Sequence, residues 1–320
     1  TWSFDVFELS KLTGGRPLQF VGWEALRSAG CLSGLGVPAE RAWSFLSRVE
    51  SSYACEKTVP YHNNLHAADV TQLVHALLAD HGFNCYFDEL GLLALLLSAA
   101  VHDMGHDGRS NGFHVSMQDS LALTYNDRSV LENHHAASAF RLMAGSPDAD
   151  LLSELPREQF LHVRREVINA VLGTDMSVHF ERLSGFKGHA EALGSDPAGW
   201  AADPAALLEL QAALLHAADI ATPAKPAALA DRWTELLTRE FHAQGDEELR
   251  RGLPVSPLCD RNAGHFANSQ VGFISFIVQP AFELLAQVEQ SVEMFIMPHL
   301  RGNLAVWEVR SKMEEEAGGS

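Results

Sequence analysis

The residues of this chain best suited to chemistry are histidine and aspartate side chains at the end of an apolar segment. His102 and Asp103 follow the apolar run from Leu92 to Val101, and His106 comes three residues after Asp103. Burying an imidazole or a carboxylate costs several kcal/mol unless the group is paired or coordinated. Imidazole with carboxylate suits zinc, and carboxylate with water suits magnesium or manganese. Metal chemistry is therefore the first hypothesis.

A second pair of histidines lies in the segment Pro60–Val70. We expect a helix to begin at Pro60 and to run to about Asp80. His62 and His66 would then lie one turn apart on the same helical face. An isolated pair at this spacing is more often two partly exposed histidines, but a second cluster of metal-ligand residues favours a shared metal site.

A further candidate ligand ends another strongly apolar segment. Asp219 lies at the end of the run from Leu207 to Ile220. A carboxylate in such a place needs a positively charged partner, and a metal ion is one. We expect His216, one turn earlier, to be a core histidine with a hydrogen-bond partner.

Four candidate ligands therefore come from three helices that are far apart in sequence, as a metal site in a bundle core requires. They are His66, His102, Asp103 and Asp219. Two imidazoles and two carboxylates can hold one zinc-like ion with positions left for water. Asp103 can extend its second oxygen to a further ion that is otherwise ligated by water, as magnesium prefers. Two metals about 4 Å apart can share a hydroxide and clamp a phosphate for in-line displacement.

The leaving oxygen in such a displacement also needs a proton. His62 can approach the same cavity as His66 without being a ligand. A carboxylate behind it would keep the imidazolium protonated and oriented. Glu132, beside Val130 and Leu131, is the candidate for that carboxylate.

The composition limits the classes of partner. The 320 residues carry a formal net charge of −18, from 23 basic and 41 acidic residues. Such a chain repels nucleic-acid phosphates and offers no Lys/Arg run to bind them, so polymeric nucleic acid is excluded as a partner. A small phosphate compound is compatible with this charge, because bound metal ions dominate the local field.

The remaining composition indicates a cytosolic protein or one at the cytoplasmic face. The four cysteines are scattered without a CxxC pair, which indicates reduced thiols. No signal peptide is visible, and the longest apolar run, Leu90 to Val101, is too short to span a bilayer. We therefore expect no membrane contact from this segment. The chain begins at Thr1 without a Met, so we expect it to be cut from a longer protein.

Apolar residues recur at helical spacing along the chain and alternating strands are nearly absent, so the sequence predicts an all-α, compact multi-helix bundle. We expect one catalytic domain over 1–320, with an N-terminal helical part (1–59), a motif-bearing core (60–299) and a C-terminal tail (300–320). The sequence predicts a helix capped by Asn126 or Asp127, a loop or insertion over 185–204, and a polar segment over 245–268 that acts as a lid. Further helices are predicted over Phe160–Leu172, Leu207–Ile220, Pro223–Glu248 and from Ser269 to about Ile296.

Six ordered motifs resemble the catalytic domain of the class I 3′,5′-cyclic-nucleotide phosphodiesterases, over roughly Pro60 to His299. They are Tyr61-His62-Asn63 with His66 to Val70, His102 to Phe113, Tyr125 to His135, Gly173 to Met176, His216 to Asp219, and Ser269 to Phe273. The resemblance implies a bundle of the HD-domain type with two metals in its core, zinc and usually magnesium, with manganese as an alternative at the second site.

The resemblance also implies a role for each matching residue. His66, His102, Asp103 and Asp219 match the zinc ligands, and Asp103 bridges to the second ion. His106, Glu132 and Thr174 match residues that hold water on that ion, and His62 matches the proton donor to the 3′ oxygen. Gln270 matches the glutamine that hydrogen-bonds the purine, and Phe273 and Leu237 match the two sides of the purine clamp. Phe241, Leu258, Tyr61 and Thr222 are expected to line the same pocket.

One departure from the family pattern bears on the substrate. After Asp219 the cAMP-selective members commonly carry Ser-Asn-Pro, whereas this chain has Ala221-Thr222-Pro223. A threonine hydroxyl cannot make the bidentate contact that an asparagine amide makes with adenine. The sequence therefore predicts cGMP, or both nucleotides, over strict cAMP selectivity.

Two alternatives stay open. An HD-domain nucleotidase or dNTP hydrolase shares the His, His-Asp and Asp core, although that function does not require His62, Glu132 and Gln270 together. A non-catalytic cyclic-nucleotide sensor would keep the pocket but lose a ligand or the proton donor. Family members usually carry an N-terminal regulatory or sensory module, so we expect one to be covalently linked, and a dimer is compatible with the sequence.

Overall fold

The computed structural model describes residues 1–263 and 266–318, and these residues form a bundle of α-helices. No strand occurs among the described residues, so the predicted all-α class is confirmed. One continuous apolar core joins residues of the N-terminal part, such as Phe7 and Phe45, to those of the later helices, such as Leu97 and Leu285.

The first half of the chain contains nine α-helices, with one 3₁₀ turn at Phe83–Tyr86. These are α1 (Val6–Leu12), α2 (Pro17–Ser28), α3 (Cys31–Gly34), α4 (Ala39–Ser52), α5 (Asn64–Ala79), α6 (Glu89–Val101), α7 (Asn111–Met117), α8 (Ser120–Tyr125) and α9 (Val130–Gly145).

The second half contains nine more among the described residues, with 3₁₀ turns at Pro147–Ala149, Met176–Val178 and Thr222–Ala224. They are α10 (Arg157–Leu172), α11 (His179–Leu193), α12 (Pro197–Ala202), α13 (Pro204–Asp219), α14 (Ala227–Arg251), α15 (Phe266–Phe273), α16 (Gln279–Val288), α17 (Gln290–Phe295) and α18 (Met297–Gly318). A π-helical segment, Ile274–Val278, joins α15 to α16.

Helix α6 is the central element that delivers the His-Asp pair. It begins at the N-cap Asp88, whose side chain accepts the N–H of Gly91. Every residue from Leu93 to Val101 is buried, and the helix packs against α5 and α10. A helix that is apolar on all sides must lie inside the bundle. Its end therefore places His102 in the interior.

Helix α5 begins later than the sequence predicts. Asn63 is its N-cap, and its side-chain amide donates to the carbonyls of Val59 and Pro60 (2.8 and 3.1 Å). These bonds hold residues 60–63 as a turn ahead of the helix. The prediction that His62 and His66 share one helical face is therefore wrong, since only His66 lies in α5.

Two other boundaries also differ from the predictions. Asn126, Asp127 and Ser129 have φ values of 54°, 61° and 41°, which an α-helix does not accommodate, so α9 begins after them. The segment 185–204 is largely helical rather than a loop. It is held by Trp200, whose buried indole donates to the carbonyl of Gly194 (2.8 Å).

The C-terminal helices differ from the predictions as well. Helix α14 runs to Arg251, beyond the expected end at Glu248, and the single helix expected from Ser269 is divided into α15, the π-helical segment, α16 and α17. By length and composition alone, Phe266–Val288 is apolar enough to cross a membrane, with a mean hydropathy of 1.5. Of its apolar window 39% is buried, and Ile274, Val278 and Phe282 lie fully buried in the core.

Candidate metal and proton-transfer site

Four predicted ligands meet where α5, α6 and α13 come together. His66 lies in the first turn of α5, His102 and Asp103 directly follow α6, and Asp219 ends α13. The Nε2 atom of His66 lies 2.9 Å from Asp219 Oδ1 and 3.5 Å from Asp103 Oδ2. The Nε2 atom of His102 lies 3.3 Å from Asp103 Oδ2 and 3.4 Å from Asp219 Oδ1. The fold thus assembles the predicted ligand set.

The chemistry of this cluster fits a bound cation. His102 donates from Nδ1 to the carbonyl of Ala99 (2.9 Å), which leaves Nε2 aimed at His66 Nε2 only 3.3 Å away. The buried Oδ2 atom of Asp103 has no hydrogen-bond partner. Burial lowers the pKa of His102, but the carboxylates of Asp103 and Asp219 outweigh it and raise that pKa well above the usual value. A positive charge between these groups satisfies all four side chains.

A cavity of about 300 Å³ opens beside the cluster. It is lined by His62, Asp103, His106, Ser110, Asn111, Gly112, Leu131, Glu132, His135, Thr174, Asp175, Met176 and Asp219. Asp103, His106 and His135 form a second group of atoms close enough to hold an ion. The cavity wall thus contains the three residues expected to hold water on a second ion, His106, Glu132 and Thr174, and one that sequence reasoning missed, His135.

Both cavity-lining imidazoles of this second group are held neutral. His106 accepts the N–H of Gly108 on Nδ1 (2.9 Å), and His135 donates from Nδ1 to the carbonyl of Met104 (2.8 Å). Burial, reinforced by the neighbouring His62, lowers the pKa of His106 to about 3. Burial lowers the pKa of His135 to about 4. Neutral imidazoles suit a site for cations, because they add no positive charge.

Glu132 does not lie behind His62, and the prediction that it orients that histidine is wrong. Its carboxylate instead accepts both bonds from the Asn111 amide nitrogen (3.2 and 3.0 Å). The side-chain Oδ1 of Asn111 accepts the backbone N–H of Leu131 (2.9 Å), which ties α7 to the start of α9. Burial and the carboxylate of Asp175 raise the pKa of Glu132 to about 7. Glu132 therefore lines the cavity beside Asn111 and not behind His62.

The carboxylate behind His62 belongs to Glu240 on α14, which sequence reasoning missed. Glu240 Oε1 accepts the Nδ1–H of His62, and Oε2 accepts the backbone N–H groups of Tyr61 and His62 (2.8 and 3.1 Å). Burial lowers the pKa of His62, but Glu240 outweighs it and raises that pKa to about 9. The same pairing outweighs burial of Glu240 and lowers its pKa to about 2. The pairing with Glu240 thus favours the protonated form of the half-buried His62 at neutral pH.

A sequence signal for Glu240 did exist. The buried residues of α14 include Trp233, Leu236, Glu240, Gln244 and Glu248, which recur every three or four residues. Glu240 therefore occupies the apolar face of an amphipathic helix, where an unpaired carboxylate is costly. That pattern indicates a partner, although it does not say which one.

Comparison with known proteins assigns the chain to a family. Residues 61–299 match the family model described as 3′5′-cyclic nucleotide phosphodiesterase. The chain belongs to this family. The phosphodiesterase match covers every metal-site residue described above as well as His62 and Glu240. The resemblance inferred from the sequence motifs is therefore confirmed.

Similar phosphodiesterases include curated proteins and a solved structure. The chain is 43% identical over 288 residues to "Probable 3′,5′-cyclic phosphodiesterase pde-1" of Caenorhabditis elegans, covering 90% of this chain and 42% of the relative. It is 42% identical over 292 residues to the mouse dual specificity calcium/calmodulin-dependent 3′,5′-cyclic nucleotide phosphodiesterase 1C, covering 91% and 40%. The phosphodiesterase domain of the RhoPDE fusion protein from Salpingoeca rosetta matches at a TM-score of 0.89 and 30% identity, covering 99% and 96%.

The residues expected to contact the purine lie apart from the 300 Å³ cavity lining. The hydroxyl of Thr222 lies 3.3 Å from that of buried Tyr61, whose ring centroid is 4.6 Å from that of His66. Four of the other residues are half-buried: Leu237, Phe241, Gln270 and Phe273. Of these, Leu237 and Phe273 pack against the core. Leu258 is exposed and has a φ of 66°. The purine pocket stays a prediction.

The expectation that His216 is a hydrogen-bonded core histidine is confirmed, since its Nε2 lies 2.8 Å from His179 Nδ1.

Proposed function

We propose that this chain hydrolyses the 3′ phosphoester bond of 3′,5′-cyclic nucleotides to give 5′-nucleoside monophosphates. The observation that carries the proposal is the pairing of His62 with Glu240 on the wall of the cavity that also holds Asp103 and Asp219. A proton donor beside a set of metal ligands suits phosphoester cleavage with an alkoxide leaving group. Membership of the phosphodiesterase family supports the same reaction.

The donor geometry supports a proposal for the residues that would hold the metals. His66, His102, Asp103 and Asp219 suit zinc, and Asp103 with the water-holding residues of the cavity suits magnesium or manganese. When bound, these ions supply a water that ionises near neutral pH and neutralise charge on the phosphate. The protein contributes the fixed ligand positions, since His102 is held by Ala99 and α5 is held by Asn63.

His62 supplies the proton that the leaving 3′ oxygen requires. Its Nδ1–H is committed to Glu240, so the proton on Nε2 is the one available to the cavity. The raised pKa of about 9 keeps that proton in place at neutral pH. The ring is further fixed by stacking on His106, with ring centroids 4.2 Å apart. A donor held in position in this way contributes without reorganisation during the reaction.

Glu132, Asn111 and Thr174, which also line the cavity, would order water there. The Asn111 amide fixes the Glu132 carboxylate, and Thr174 donates its hydroxyl proton to the carbonyl of Val171 (2.8 Å). The Thr174 hydroxyl oxygen therefore remains an acceptor for a water proton. These residues support a hydrated second ion beside Asp103.

For the substrate, the proposal favours cGMP or both cyclic nucleotides. Thr222 carries one hydroxyl at the position where cAMP-selective members commonly carry an asparagine. The mouse relative is named a dual specificity enzyme, which supports acceptance of both bases. Gln270, Phe273 and Leu237 are proposed to bind the purine, with stacking supplying much of the affinity.

The deciding experiment measures hydrolysis of cAMP and cGMP side by side with added Mg²⁺, and repeats it after chelation. Turnover that yields the 5′-monophosphate and is lost with the chelator supports the proposal. Release of phosphate or triphosphate from linear nucleotides, without cyclic-nucleotide turnover, would indicate the HD-type nucleotidase instead. Binding of cyclic nucleotide without turnover in the metal-loaded protein would indicate a sensor.

We also propose a covalently linked partner region and a location in the cell for this chain. The chain spans 42% and 40% of the lengths of the two relatives compared above. We propose a covalently linked regulatory or sensory region, with the catalytic segment in the cytosol or at the cytoplasmic face of a membrane. A measurement of mass in solution tests whether the chain forms a dimer.

A further inference from the structure

The turn between α13 and α14 connects the two halves of the site. It follows Asp219 at the end of α13 and leads into the helix that carries Glu240. Within it, Thr222–Ala224 forms a 3₁₀ turn, and Thr222 lies against the hydroxyl of Tyr61. The position of this turn therefore decides where the Thr222 hydroxyl lies relative to the metal cluster.

Side chains from distant parts of the chain hold the three carbonyls that follow Thr222. The Trp2 indole N–H donates to the carbonyl of Ala224 (2.8 Å), and the Asn303 amide donates to those of Pro223 and Lys225 (2.7 and 2.8 Å). Trp2, Asn303 and Ala224 are all buried. Trp2, which precedes α1, and Asn303 of α18 thus both bind the same turn of the site.

A third connection comes from the side chain of Lys225. Its ammonium group is fully buried and donates to Asp69 of α5, 2.7 Å away, one turn beyond His66. The turn's own backbone contributes two bonds, from Ala224 N to Ala221 O (2.8 Å) and from Lys225 N to Thr222 O (3.3 Å). Because Pro223 has no N–H, the outside donors carry much of the restraint.

We infer that Trp2 and Asn303 are positioning residues for the nucleotide base, acting through the carbonyls that they hold next to Thr222. Loss of either donor leaves a buried carbonyl without a partner, and the turn must move to satisfy it. The movement displaces Thr222 from Tyr61, while His62 keeps its bond to Glu240 and the metal ligands keep their positions in or directly after α5, α6 and α13. Substrate binding therefore weakens more than the chemical step.

This inference rests on the proposed function, and Trp2→Phe tests it. Phenylalanine keeps an aromatic ring against His81 and Phe282 but removes the N–H. Trp200→Phe is the matched control, because Trp200 is also buried and its indole also donates to a carbonyl at 2.8 Å, near α12. We expect Trp2→Phe to raise KM about three- to tenfold with kcat within about twofold. Trp200→Phe should leave both unchanged, whatever its effect on thermal stability.

A second readout does not depend on activity. Hydrogen exchange of the amides of 220–225 should accelerate in Trp2→Phe and not in Trp200→Phe. Unchanged exchange of this turn in Trp2→Phe would overturn the inference. Accelerated exchange with an unchanged KM would also overturn it, and so would an equal rise of KM in Trp2→Phe and Trp200→Phe. If the unsubstituted protein turns over no cyclic nucleotide, the proposed function fails and so does the role in base binding. The exchange measurement still decides whether Trp2 holds the turn.

Discussion

The carboxylate of Glu240 binds His62 through both of its oxygens, one on the ring and one on the backbone. Oε1 accepts the imidazole Nδ1–H, and Oε2 accepts the N–H groups of Tyr61 and His62. One side chain from α14 therefore fixes the turn before α5, the orientation of the ring and its charge. This arrangement explains how His62 reaches the metal site without being part of the helix that carries His66.

Replacing Glu240 by glutamine should weaken proton donation by His62. The amide removes the negative charge that opposes burial, so the pKa of His62 falls from about 9. We expect kcat at pH 7.5 to fall by about tenfold or more and its alkaline limb to move to lower pH. A pH profile of kcat measures both effects. Glu235→Gln, an exposed change on the same helix, is the control, and an unshifted alkaline limb in Glu240→Gln would contradict the assignment.

His62→Ala should separate proton donation from metal binding. The four-residue cluster does not include His62, so metal content should stay nearly intact. Removal of a general acid typically costs about 10²–10⁴-fold in kcat, and we expect a loss in that range. Turnover and elemental analysis of the same preparation give the result. Loss of metal from this variant would mean that His62 has been given the wrong role.

Asp219→Asn should abolish metal-dependent turnover. The amide cannot supply the negative charge that His66 and His102 face at 2.9 and 3.4 Å. We expect the variant to hold less metal than the unsubstituted protein and to lose activity even with excess Mg²⁺. Asp231→Asn, at an exposed ion pair with Arg310, is the matched control. Full metal content and full activity in Asp219→Asn would exclude Asp219 as a ligand.

Thr222 should decide the base preference. With threonine, we expect kcat/KM for cAMP not to exceed that for cGMP by more than about tenfold, or about 1.4 kcal/mol. Thr222→Asn supplies an amide that can donate and accept across the adenine edge, so the ratio should shift toward cAMP. Thr124→Asn, at an exposed position, is the control. A ratio that does not change in Thr222→Asn would place the base elsewhere.

Lys225→Met should destabilise the protein strongly. The Lys225 ammonium is fully buried against Asp69, and its removal leaves a buried carboxylate without its partner. Breaking such a pair typically costs about 3–5 kcal/mol in the free energy of unfolding. Denaturant unfolding measures this, with Lys187→Met at an exposed pair expected within about 0.5 kcal/mol of the parent. The double variant Lys225→Met with Asp69→Leu should be more stable than Lys225→Met alone.

The sequence by itself determined the all-α class and the family, and it predicted the four candidate metal ligands that the fold brings together. Apolar segments such as α6 can only be buried, and His102, Asp103 and Asp219 stand at their ends, so these candidates were evident from local pattern. It did not determine where α5 begins, because the Asn63 bonds that hold the preceding turn depend on local geometry.

Only the tertiary structure decided which carboxylate serves His62. Glu132 and Glu240 both lie on helices beside apolar residues, and helical periodicity shows which face of each helix is inside. It does not show which two inside faces meet. Glu240 lies 178 residues from His62, and the packing of α14 against the turn before α5 brings them together. A different contact, that of α7 with α9, places the half-buried carboxylate of Glu132 beside the amide of Asn111.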